Sequence, residues 1–123
     1  DVARICNRRK VLWIPGCATL TEISQAEELG AEIVKIFPGN AAGGPSFVKA
    51  VRGPSPWTSI MPTGGVEPTE KNLKEWFDAG VTCVGMGSGL ITASHVKKAA
   101  WNEITAKVRE TLEIIRNLRA AEA

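Results

Sequence analysis

Short apolar runs alternate with helical patterns four times along these 123 residues, which predicts an α/β protein with a parallel sheet. Three observations carry that prediction. The apolar runs at 11–14, 32–37, 58–61 and 81–84 are strand-length. A helical pattern follows each of them. Each run also ends in a Gly or Pro loop, so all four loops gather at the carboxyl end of the sheet, where α/β folds take their ligands. Two architectures fit the residues: a small doubly wound sheet, or half of an eight-stranded barrel.

The elements justify themselves in order. Val2, Ile5 and Cys6 have helical spacing, and Asn7-Arg8-Arg9-Lys10 closes that helix. The chain opens on Asp1, inside an element and without an initiator Met, and so reads as a fragment. Val11-Leu12-Trp13-Ile14 is a buried strand stopped by Pro15-Gly16. Thr19 or Thr21 caps a helix to about Leu29, with Glu22 in its first turn and Gly30 past its end. Glu32 to Phe37 is the second strand, and Pro38 to Gly44 a Gly-rich loop. Pro45 to Val51 is a short helix with Pro at its first position, where a missing N–H costs nothing. Gly53-Pro54-Ser55-Pro56 connects to a third strand, Thr58 to Met61. Thr69 to Ala79 is a helix with Leu73, Trp76 and Phe77 on one face. Val81 to Val84 is the fourth strand. A helical turn near Leu90 to Ala93 precedes a long helix from about Ala99 to Arg119, whose packed face is Trp101, Ile104, Val108, Ile115 and Leu118. Residues 120–123 fray.

Composition narrows the class. Hydrophobic residues at 44% and charged residues at 23% are globular values. The net charge of +2 is spread along the chain, and Arg8-Arg9-Lys10 is too short a cluster to indicate nucleic acid. No apolar run has the length of a membrane span, and no secretory signal opens the chain. Cys6, Cys17 and Cys83 are odd in number and widely spaced, which reads as reduced thiols in a cytoplasmic protein. A single histidine, His95, excludes multi-histidine metal sites and is assigned to the connection between helices.

Lys35 stands out. It sits inside the apolar run Ile33 to Phe37, where an ammonium is costly unless paired or deprotonated. It therefore reaches a carboxylate, or it is a desolvated amine poised to attack carbonyls, or it lies at a strand end with its head in water. Side chains alternate along a strand, so Ile33, Lys35 and Phe37 share one face and Glu32, Val34 and Ile36 the other. Lys35 lies late in the strand, which directs its head toward the glycine loops. Thr63-Gly64-Gly65 and Gly85-Met86-Gly87-Ser88 each follow a strand, and glycine lets backbone N–H groups approach an anion closely. The pair, on adjacent strands, fits a phosphate site. Cys17 lacks a base and is assigned as a small buried residue. Glu67 and Glu70 complement a helix N-terminus. Trp13, Trp57, Trp76 and Trp101 are spaced as core and cover residues.

Four motifs in order resemble one family: Ile14-Pro15-Gly16, Val34-Lys35-Ile36-Phe37-Pro38, Pro62-Thr63-Gly64-Gly65 and Val84-Gly85-Met86-Gly87-Ser88. The chain is similar to the second half of the 2-keto-3-deoxy-6-phosphogluconate aldolases, also called KHG/KDPG aldolases. The resemblance implies residues 1–123 as the (β/α)5–8, C-terminal half of a TIM (β/α)8 barrel, and a class I aldolase without metal or cofactor. It implies Lys35 as the Schiff-base lysine, with Phe37 and Pro38 of the same motif beside the substrate. Gly64, Gly65 and Ser88 match positions that hold the substrate phosphate, with Gly87 beside Ser88 in the same loop. The implied reaction cleaves the phosphorylated keto-deoxy acid to pyruvate and glyceraldehyde 3-phosphate, with 4-hydroxy-2-oxoglutarate cleavage as a side activity. The implied partners are this small-molecule substrate and further copies of the chain, the family being commonly trimeric, with no nucleic acid and no membrane.

Two departures accompany the resemblance. The family's general acid/base glutamate, its carboxylate-binding arginine and a threonine lie in a first half that has no counterpart here, so this chain alone is expected to be inactive. Gly39-Asn40 also stands where many relatives carry a glutamate. The alternative to an aldolase is a non-catalytic phosphate-binding half-barrel module, which keeps the glycine loops and has no use for a reactive Lys35.

Overall fold

The sheet of the computed structural model, which describes residues 1–122, is built from very short strands. β1 (Gly16–Cys17), β2 (Val34–Ile36) and β3 (Ile60–Pro62) pair in parallel in that order. Gly16 lies opposite Lys35, and Lys35 opposite Met61. The helices are α1 (Val2–Arg9), α2 (Leu20–Glu28), α3 (Gly44–Arg52), α4 (Glu70–Asp78), α5 (Ala93–Lys97) and α6 (Trp101–Glu122). Parallel strands with helical connections are the α/β class expected from the alternation. Among the described residues, no helix is long and apolar enough to cross a membrane.

Strand parity sorts the sheet into two faces. Cys17, Val34, Ile36, Ile60 and Pro62 are buried, while Lys35 and Met61 between them are half-buried. The buried face meets Ile23 and Ala26 of α2, Val48 and Val51 of α3, and Leu73, Trp76 and Phe77 of α4 in one core. Fully burying side chains such as Ile36, Ile60 and Leu73 contributes roughly 1.5–3 kcal/mol each. Helix caps set the entry angles. Thr19 is the N-cap of α2, and its hydroxyl and Glu22 form a reciprocal capping box. Thr69 caps α4, accepting from the Asn72 N–H.

Five expectations are corrected. The first strand is displaced from 11–14 to Gly16–Cys17, because the register sets Val11 and Leu12 opposite Gly30 and Ala31. Those two residues close α2, donating to Glu27 and Ala26 carbonyls, and offer no extended partner. The fourth strand reduces to one bridge, Thr63 to Gly85. Thr82 N–H bonds the Ile60 carbonyl and Gly85 N–H the Pro62 carbonyl, so three steps along one segment meet two along the other. That extra residue breaks the ladder as a bulge does. The turn expected near Leu90 to Ala93 forms three residues later, as α5 (Ala93–Lys97), because Thr92 supplies its cap and accepts from the His95 N–H. Finally, Trp57 and Trp101 are exposed at 71% and 58%, not core or cover, and α6 packs instead through Ile114, Ile115 and Leu118 against α4 and the core. Residues 120–122 continue that helix rather than fraying, and Ala123 lies outside the described residues.

Candidate active site

Lys35 is held at the middle of β2, with ladder neighbours on both sides. Its N–H donates to the Pro15 carbonyl at 2.8 Å, which anchors the backbone from which the side chain leaves. Parity places that side chain on the face opposite the helices, since Val34 and Ile36 on either side of it enter the core. Its Nζ sits 4.7 Å from the centroid of the Phe37 ring, two residues on along the same face. A cation above an aromatic face is attracted by the ring quadrupole. Among the described residues, no carboxylate lies within ion-pair distance of Lys35. Of the roles open to this lysine, pairing with a carboxylate of this segment is therefore excluded.

After Phe37 the chain turns at Pro38, through a cis peptide, and joins the loop that follows β3. Gly39 N–H donates to the Thr63 carbonyl at 2.8 Å and Asn40 N–H to the Gly64 carbonyl at 3.1 Å. The approach is so close that a Cβ on Gly39 would stand 2.7 Å from the Gly64 carbonyl oxygen. Gly64 and Gly65 have φ of 90° and 76°, a left-handed conformation that glycine adopts freely. A Cβ on Gly65 would sit 2.5 Å from the Asn40 Cβ. The lysine strand and the first glycine loop are thus one continuous structure.

Two side chains of α4 finish this loop. Asn72 Nδ2 and Trp76 Nε1 both donate to the Gly65 carbonyl, at 3.2 and 3.3 Å. Asn72 Oδ1 accepts the Glu67 N–H at 2.8 Å. Trp76 was placed in the core by its spacing, and it is 1% exposed. Its role as a loop anchor was not legible, because helical periodicity reports the buried face and not which backbone group an indole N–H meets. Gly39, Asn40 and Asn72 were missed for a related reason: their partners lie in other elements. The spacing from Gly65 to Asn72, which reaches back from the first turn of a capped helix, is a signal that could have found them.

The second glycine loop is adjacent, since Thr63 and Gly85 are bridge partners, and a Cβ on Gly85 would strike the Thr63 hydroxyl. That hydroxyl is buried and has no hydrogen-bond partner. Gly87 and Ser88 are exposed, and a Cβ on Gly87 would meet nothing within 4 Å. A Cβ on Gly89 would come within 2.9 Å of Glu67 Oε2, which puts a carboxylate against this loop.

The remaining polar groups serve structure. Cys17 is 3% exposed, and burial, followed by the charges of Glu22 and Glu27, pushes its thiol up, which disfavours a thiolate. Glu22 is held below the usual carboxylate range by the Ala18 N–H, the Thr19 hydroxyl and the Thr19 N–H, all of which favour the charged form. His95 Nδ1 accepts the Thr92 N–H at 3.4 Å, the connection role expected of it.

A parallel sheet with a half-buried lysine and two glycine loops at its carboxyl end defines an α/β protein with glycine loops where such folds take their ligands. The chain belongs to the KDPG and KHG aldolase family, whose family model matches residues 1–107. It is 38% identical over 102 residues to the 2-dehydro-3-deoxy-6-phosphogalactonate aldolase of Escherichia coli K12, covering 82% of this chain and 48% of that protein. A solved KDPG aldolase from Legionella pneumophila, with pyruvate captured as a covalent carbinolamine, superposes with a TM-score of 0.77 at 28% identity. That match covers 87% of this chain and 51% of that one. A chain of a cube-shaped cage designed by fusing symmetric oligomeric domains also matches. It does so at 33% identity and a TM-score of 0.77, over 98% of this chain and 44% of its own. The chain spans about half the length of the curated relatives it matches.

Proposed function

We propose that these residues form the Schiff-base and phosphate-binding half of a class I aldolase, the (β/α)5–8 segment of a TIM (β/α)8 barrel. Lys35 carries the reading. It is half-buried beside Phe37, on the face opposite the helices, with no carboxylate partner among the described residues. A lysine so placed has its amine available to a carbonyl. The capture of pyruvate as a carbinolamine in the Legionella relative supports the same chemistry.

In this reading, Lys35 Nζ attacks the C2 ketone of a 2-keto-3-deoxy sugar acid phosphate, and loss of water gives an iminium. The iminium accepts the electron pair of the C3–C4 bond as that bond breaks. Glyceraldehyde 3-phosphate leaves, and the enamine is protonated and hydrolysed to pyruvate. Phe37 and Pro38 wall the lysine, while Gly64, Gly65, Gly87 and Ser88 face the phosphate. Cleavage of 4-hydroxy-2-oxoglutarate, which lacks a phosphate, is the side activity. The reaction also needs a group to move protons at the substrate hydroxyl, and among the described residues no carboxylate lies within ion-pair distance of Lys35 to fill that role. General acid–base help is worth roughly 10²–10⁴-fold, so these 123 residues alone bind and condense but turn over little. Self-association of the complete enzyme is part of the same proposal, supported by the match to a cage made from oligomeric domains.

Borohydride reduction in the presence of pyruvate tests the reading. The expected result is one reduced pyruvate on Lys35, absent in Lys35→Met. A folded chain that gives no adduct overturns the aldolase reading in favour of a phosphate-binding module.

A further inference from the structure

The turn after β3 presents two backbone donors that the chain itself does not use. Its peptides are trans, and in a planar trans peptide the C=O and the following N–H point in opposite directions. The Gly64 carbonyl is turned to the Asn40 N–H, so the Gly65 N–H faces away from that loop. The Gly65 carbonyl is turned to Asn72 and Trp76, so the Val66 N–H faces away from α4. Among the described residues neither N–H has an acceptor. Val66 is 5% exposed as a residue, and in folded proteins the backbone donors of buried residues nearly always have partners. The next N–H along, that of Glu67, is already taken by Asn72 Oδ1.

Resting on the phosphate reading above, we propose that Asn72 and Trp76 are positioning residues that hold the Gly64–Val66 turn as a paired N–H donor for the substrate phosphate. Asn72 suits the task because one amide supplies both a donor and an acceptor. It grips the carbonyl before Val66 and the N–H after it, and so fixes the orientation of the residue between. Trp76 adds a second donor to the Gly65 carbonyl from a side chain that is 1% exposed and cannot swing away. Without these bonds the Gly65–Val66 peptide is free to rotate, because the left-handed glycines resist rotation least. The anion then loses a fixed donor. The lysine is untouched by this device, since its strand is anchored by Pro15 and Met61 instead.

Amide shifts of Gly65 and Val66 on titration with inorganic phosphate, alongside borohydride trapping of pyruvate, separate this proposal from the reading beneath it. In the unaltered chain both amides shift saturably. Asn72→Ala weakens phosphate about tenfold and Trp76→Phe about threefold, each having lost donors to one carbonyl. Pyruvate trapping on Lys35 stays unchanged in both. Trp76→Phe keeps the buried ring, so it reads the hydrogen bond even if Asn72→Ala does not fold. Variants that bind phosphate like the unaltered chain overturn the positioning role and leave the phosphate reading standing. Variants that lose trapping together with phosphate binding overturn it as a general structural defect. An unaltered chain whose Gly65 and Val66 amides ignore phosphate overturns both.

Discussion

The turn after β3 and the turn after residues 81–84 carry glycines in a similar pattern at the same end of the sheet, and their surroundings treat them differently. Gly64 and Gly65 are left-handed, tightly packed, and tied through their carbonyls to Asn40, Asn72 and Trp76. Gly87 is exposed, has open space where a Cβ would go, and does not adopt a positive φ. A glycine demanded by its backbone and a glycine that marks a turn look identical in a sequence. The loop after β1 is a third case. There, Ala18 and Thr19 N–H groups are held by the Glu22 carboxylate, a charged group, where the β3 loop is held by a neutral amide and an indole. The same architectural position is thus secured by sterics and neutral donors, by a charge, or hardly at all.

The sharpest way to break this contrast is to add a methyl group to each glycine. Gly65→Ala combines a left-handed φ with a Cβ contact of 2.5 Å to the Asn40 Cβ, and is expected to cost on the order of 3 kcal/mol. Gly87→Ala is expected within about 0.5 kcal/mol of the unaltered chain. Urea unfolding of the two variants measures both, and equal costs would abolish the distinction. Gly39→Ala comes next. It has no left-handed φ, but its Cβ would press 2.7 Å from the Gly64 carbonyl, so about 1–2 kcal/mol is expected. A loss of that size would show that the contact between the two loops is obligatory rather than incidental.

The smallest effect concerns the charged loop, and it depends on pH. Because the Glu22 carboxyl is held low in the folded chain, its contribution is complete above the ordinary carboxylate range and disappears as pH falls through its folded value. Glu22→Gln is therefore expected to lower the melting temperature at neutral pH by an amount that shrinks toward zero in acid. Phosphate binding at the β3 loop should show no matching dependence on Asn72, which does not titrate. A Glu22→Gln deficit that persists unchanged in acid would show that the loop is held by shape and not by charge.

Local chemistry made much of this legible from residues alone. Alternation placed Lys35 on one face with Ile33 and Phe37, and Thr19 or Thr21 with Glu22 marked the start of α2. Gly30 marked a helix end, and it takes φ of 88°. The lysine motif and the glycine loops sit together as the family resemblance implied. The strands were less legible. Val11 to Ile14 is apolar enough for a strand, but ladder bonds need a partner, and its register neighbours are occupied in closing α2. The fourth run lost its ladder to one extra residue, which no local pattern announces. Long-helix periodicity also misassigned Trp101, because an amphipathic stripe does not say which of its turns meets another element.

By itself the sequence determined which residues can carry chemistry, which residues share a face of β2 with Lys35, and where most of the helices begin. These follow from dihedral preference and side-chain alternation, which act within a few residues. Tertiary structure alone decided that Gly39 would close on Gly64. It alone decided that two side chains of α4 would turn the Gly65 carbonyl and leave the Val66 N–H without a partner. Those outcomes depend on hydrogen bonds and contacts between elements distant in the chain, and only the packed core brings such groups within reach.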